Sequence, residues 1–78
     1  MTDLERLRVL LPHWIAHNEE HALEFLDWAG KPSLAGHEET AQLVRRAAEE
    51  MQQANDALKL ALDRLGGPVA VEPPSPTH

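Results

Sequence analysis

The sequence predicts an all-α fold, an antiparallel helical hairpin of two long helices. Three observations carry this. Residues 2–29 and 37–65 are free of Gly and Pro, apart from Pro12. In both segments apolar residues recur at alternating steps of three and four, and nowhere does the two-residue alternation of a strand appear. Between them lies Gly30-Lys31-Pro32-Ser33-Leu34-Ala35-Gly36, a loop by composition, and Gly66-Gly67-Pro68 stops the second segment. A linker this short makes the helices antiparallel. The expected hairpin domain is 1–66, with helices over about 3–29 and 37–65, followed by a Pro-rich disordered tail, 67–78.

The first helix opens with Thr2-Asp3-Leu4-Glu5, the pattern in which a threonine caps the helix and a glutamate reaches back to it. Its predicted seam is Leu4, Leu7, Leu11, Trp14, Asn18, His21, Phe25 and Trp28. Pro12 lacks an N–H and collides with the carbonyl of Arg8. A kink is expected there, or a short helix followed by a longer one. Ile15, Ala22 and Leu26 widen one edge of the apolar arc.

The second helix has the seam His37, Ala41, Val44, Ala48, Met51, Asn55, Leu58, Leu62 and Leu65. Glu38 and Glu39 suit its positive start, Arg64 its negative end, and Gly66 the left-handed turn beyond it. Ala47, Ala54 and Ala61 form a smooth heptad-spaced flank. A widened arc on both helices predicts a partner, and the simplest is a second copy, making a homodimeric four-helix bundle. Trp14, Phe25 and Trp28 are the expected core or interface anchors. Asn18 and Asn55, polar residues in seam positions, are expected to set register.

Composition narrows the function. Seven basic against 13 acidic residues give a net charge of −6, so neither nucleic acid nor an anionic membrane is an expected partner. No cysteine is present, which removes disulfides, thiolate metal sites and thiol nucleophiles. No apolar run approaches the ~20 residues of a membrane span. The start resembles no secretory leader, and a cytoplasmic protein is expected. In Pro73-Pro74-Ser75-Pro76 a frayed tail is a better reading than a polyproline ligand.

The chemistry-bearing run is Pro12-His13-Trp14-Ile15-Ala16-His17-Asn18-Glu19-Glu20-His21. Histidines four apart are neighbours on a helix, and a pair can place two nitrogens on one ion at ~2.1 Å. His13 and His21 are too far apart to share an ion, being ~12 Å apart along the axis. The expected site is therefore His17 and His21, with Asn18 beside it and Glu20 or Glu24 one turn away. Folding about the predicted loop places Arg45, Ala48 and Glu49 opposite, making Glu49 the candidate third ligand. A symmetry mate is the other possible source. The competing reading is structural: His21 an ordinary core histidine, His13 and His17 solvated. His17-Asn18-Glu19-Glu20-His21 has Asn where His-Glu-x-x-His metalloproteases carry the catalytic Glu, and no nucleophile–base pair or phosphate loop is present, so no enzyme is expected.

The run from Leu11 to Ala22, with Phe25, Trp28 and Ala54-Asn55-Asp56-Ala57-Leu58, resembles a small uncharacterised prokaryotic helical domain. That domain carries an H-W-I-x-H-N-x-x-H motif on its first helix and an Ala-Asn-x-x-Leu patch on its second. The resemblance spans residues 4–66. It implies that His13, His17, Asn18, His21 and Asn55 belong to the domain's signature, with an association to nickel or cobalt handling. The leading expectation is a small dimer binding zinc, nickel or cobalt as a store, sensor or delivery accessory. The alternative is an interaction module whose histidines only pack and hydrogen-bond.

Overall fold

A computed structural model describes residues 1–69, with 32–34 described by their backbone. Two helices, α1 (Asp3–Leu34) and α2 (Glu38–Arg64), make one antiparallel hairpin, with no strand among the described residues. Its smallest extent, 15 Å, is that of a single layer of helices, so both broad faces of the slab are open. No helix among the described residues is long and apolar enough to cross a membrane. The expected tail, 67–78, falls mostly on residues 70–78, outside the described residues.

The start of α1 is set by the predicted reciprocal cap. The Glu5 amide donates to Thr2 Oγ1 at 3.1 Å, and the Thr2 amide donates to Glu5 Oε1 at 3.0 Å. Those bonds from Thr2 hold the Glu5 carboxyl below its usual value, because they favour the ionised form. Further along, α1 passes Pro12 as one helix. A proline there forfeits one backbone bond, while the seam on either side keeps the flanking turns packed. The two-helix version of the expectation is thereby set aside.

At its far end α1 overruns the expected loop. It continues through Gly30 and Pro32 to Leu34. The linker shrinks to Ala35, Gly36 and His37, with Gly36 at φ +87°, the left-handed turn that a residue without Cβ adopts at least cost. Ala29 and Ala41 lose all their exposure beside this turn. Extending the helix buries Ala29 against the start of α2, a gain the loop would forgo.

The overrun has a consequence for register. Moving the turning point from the middle of the Gly30–Gly36 segment to Gly36 slides α2 along α1 by about one heptad. Asn18 therefore meets Asn55, and Glu19 meets Lys59, rather than the Arg45–Glu49 turn.

The seam of α2 follows the sequence pattern. Ala41, Ala48 and Asn55 are buried, and Val44, Met51, Leu58, Leu62 and Leu65 are half-buried between them. His37 departs from it, sitting exposed at the cap with no side-chain bond to the helix. The seam of α1 is rotated by one residue from the expectation. Leu11, Ile15, Ala22 and Ala29 are buried, while Leu4, Trp14 and Trp28 stand in solvent. The reason is steric. Four alanines, Ala22, Ala29, Ala41 and Ala48, let the backbones approach at the linker end, where indole rings would hold them apart.

At the other end Arg8 of α1 is tied to the residues that follow α2. Arg8 Nε donates to the Gly67 carbonyl at 2.7 Å and Nη2 to the Pro68 carbonyl at 3.4 Å. A guanidinium bound to carbonyls just past the end of α2 uses their lone pairs and lies near the negative end of the helix dipole.

Candidate functional site

The site is built on the middle of α1. Residues four apart on a helix stack one above the next, and the histidines obey. The His13 and His17 ring centroids are 5.7 Å apart, and those of His17 and His21 are 4.7 Å apart with planes at 73°. Phe25 continues the row, its ring 6.3 Å from that of His21. His13 and His17 are exposed and His21 is half-buried at the seam's edge. Its Nδ1 lies 3.1 Å from Glu24 Oε1, so of the two acids expected near the pair, Glu24 makes the contact.

Glu49 does not complete the site. The heptad shift moves it towards the linker, and α2 turns it, exposed, to the flank of Arg45 and Asp56. Among the described residues no group of three His, Cys, Asp or Glu side chains is placed to hold a metal. Among the described residues, one chain offers a pair of imidazoles and no third ligand beside them.

Asn18 is turned away from the histidines. Its Nδ2 donates to Asn55 Oδ1 at 3.0 Å, and Asn55 Nδ2 donates to the Ile15 carbonyl at 3.0 Å. Asn55 is 2% exposed, and no buried side-chain polar atom among the described residues lacks a partner. Slipping the helices by one turn would strand both amides, at roughly 1–3 kcal/mol for each unpaired group. The pair thus fixes the register on which the two faces of the slab depend.

Those faces differ. On one, Glu19, Gln52, Asp56 and Lys59 line a polar groove, and Lys59 Nζ approaches Glu19 Oε1 at 3.3 Å. On the other, Phe25 joins Thr40, Leu43, Val44 and Ala47 around an apolar hollow. That second face carries an additional stripe of α1, Leu10, Trp14, His17, His21, Phe25 and Trp28, spaced by three and four. Trp14 is 41% and Trp28 59% exposed, the latter with Lys31 Nζ 3.3 Å from its ring centroid. The expected anchors Trp14 and Trp28 therefore lie outside the hairpin's own core, with Phe25 half-buried between core and face. Two features had no signal in the sequence: Arg8 as a clamp on Gly67, and the direct pairing of Asn18 with Asn55. Each needs the register, which a single chain's periodicity does not carry.

The pattern of a domain of unknown function, DUF8180, matches residues 7–65. The chain belongs to the DUF8180 family. The match covers both helices of the hairpin and the whole histidine row, and excludes the tail. A relative, an "uncharacterized protein" of Archaeoglobus fulgidus, is 36% identical over 63 residues, 81% of this chain and 100% of that protein. The aligned stretch is thus the relative's full length. No solved structure matches.

Proposed function

We propose that this DUF8180 hairpin is a self-associating helical module, half of a four-helix bundle made by two copies about a twofold axis. The observation that carries the reading is the second apolar stripe: Leu10, Trp14 and Trp28 of α1 and Leu43 of α2 are large, exposed and on one face. Scattered surface leucines need no partner, whereas a contiguous face with two indoles does. A chain of 78 residues closes only a small core, and four of the six buried apolar residues among those described are alanine, so burial of that face would supply what the seam lacks. Charge favours a second copy as the occupant. A quarter of the chain is charged and the net charge is −6, yet the α1 stripe holds no Asp, Glu, Lys or Arg. The charges that border it, Glu24 beside His21 and Lys31 over Trp28, are of opposite sign, so the stripe adds no net repulsion between two anionic chains. The module is a binding element and not an enzyme.

A second reading is that the module holds zinc, nickel or cobalt as a store, sensor or delivery accessory. The contact between His17 and His21 favours it, since these imidazoles already lie at the separation two ligands of one ion need.

Sedimentation at micromolar concentration tests the association. The expected mass is twice the 8.7 kDa of one chain. Trp14→Gln combined with Leu43→Gln should return it to the single-chain value with helical circular dichroism retained. A folded single chain at every concentration overturns the reading.

A further inference from the structure

We propose that two copies of the chain share one divalent transition-metal ion, bound by His17 and His21 of each copy. The proposal rests on the association reading above and adds a ligand to it.

The local geometry supplies half a site. Imidazoles bound to one ion through nitrogens ~2.1 Å away have ring centroids roughly 5 Å apart. The His17 and His21 centroids stand at 4.7 Å, with planes at 73°. His21 is also prepared electronically. Its Nδ1 faces Glu24 Oε1 at 3.1 Å. In a neutral ring the nitrogen facing a carboxylate carries the proton, so Nε2 keeps its lone pair for a metal. A carboxylate behind a ligating histidine is the usual support of such sites. The described residues of one chain then stop two ligands short of the four that a tetrahedral ion takes, and Glu49 is turned away. A twofold axis doubles whatever lies beside it, so a second copy supplies the missing number with the same residues.

The two helices agree on where the axis falls. On α2 the small-residue flank Ala47, Ala54, Ala61 has Ala54 at its centre. On α1 the stripe from Leu10 to Trp28 has its centre between His17 and His21. The Asn18–Asn55 bond puts these two centres at one level across the hairpin. An axis crossing both helices there, in the plane of the open face, lays Ala47 on Ala61 and Ala54 on its own counterpart. The same rotation brings His17 and His21 against their counterparts. Register, small-residue spacing and ligand count are independent, and they converge on one operator.

The test titrates metal-free protein with zinc chloride and follows sedimentation in the same solutions, with cobalt(II) as the spectroscopic probe. The expected result is one ion per two chains and the intense visible band of four-coordinate cobalt. His17→Ala and His21→Ala should each abolish saturable binding while the helical dichroism persists. His13→Ala should leave affinity within about twofold, because His13 cannot share an ion with His21. Glu24→Gln should weaken binding roughly tenfold through loss of its support to the ring. One ion per chain, or binding that survives loss of His17 or His21, overturns the shared site. A dimer that takes up no zinc below about a millimolar overturns the site and leaves the association standing. A single chain with and without zinc overturns both.

Discussion

The two helices spend their apolar residues differently. α2 puts most of its large ones, Val44, Met51, Leu58 and Leu62, into one stripe against α1 that Leu65 continues at the cap, leaves Leu43 and Leu60 exposed, and fills its flank with alanines. α1 divides its large ones between two stripes one residue apart: Leu11 and Ile15 face α2, while Leu10, Trp14 and Trp28 face outward. A helix with one apolar face is answered by one neighbour; a helix with two asks for another. The heavier side chains of α1 lie on the side that its own chain leaves open, so the small inner core and the apolar outer face have a common origin.

The largest expected effect separates the two sides of α1. Leu11→Ala should cost about 2–5 kcal/mol in urea denaturation, by lost burial and an unfilled cavity. Leu23→Ala, on a position that belongs to neither stripe and is exposed, should stay within about 0.5 kcal/mol. Equal costs would mean that α1 has no inner face. A middle-sized effect probes the close approach at the linker end. Ala48→Leu adds apolar area and should nevertheless destabilise by about 1–3 kcal/mol, because Ala48 sits where the backbones are nearest and has 1% of its surface free. A gain in melting temperature would show that the alanine seam is loose.

The smallest effect lies outside both stripes. Thr2→Ala removes the reciprocal cap and should cost roughly 0.5–2 kcal/mol. It should also alter the acid limb of stability. The Glu5 carboxyl is held below its usual value in the fold, so its contribution is present above the unfolded carboxylate range and fades as pH falls through the folded value. Melting curves between neutral and acid pH should therefore lose part of their downward slope in the variant. An unchanged slope would assign that limb to other carboxylates.

Much of α2 is legible in the sequence because its period is carried by residues of one kind on one side. The caps at Thr2 and Gly66 are legible for the same reason: local chemistry decides them. The inner face of α1 is less so. Size ranks Trp14 and Trp28 above Ala22 and Ala29, and the fold reverses that ranking because alanines permit contact that indoles forbid. The histidine row follows from spacing, since neighbours four apart need only a helix. What faces it across the hairpin does not. That depends on where α1 ends, and the extension through Gly30 and Pro32 exchanges Glu49 for the Asn55 turn. The longer α1 thus displaces the candidate third ligand, Glu49, and leaves the His17–His21 pair as it was.

The Arg8 clamp has an architectural corollary. By holding the Gly67 and Pro68 carbonyls, it parks the exit of α2 beside the first turns of α1. The chain is nearly a closed loop, broken at that end and bent at Gly36. A peptide bridge from the vicinity of Val69 to Thr2 would join the two ends, and new termini could open at Ala35–His37, where only three residues connect the helices. Such a circularly permuted hairpin would keep the Asn18–Asn55 register and both faces of the slab. The order in which the helices are synthesised is therefore separable from the surface they present, and a fused cargo could be attached at either pole.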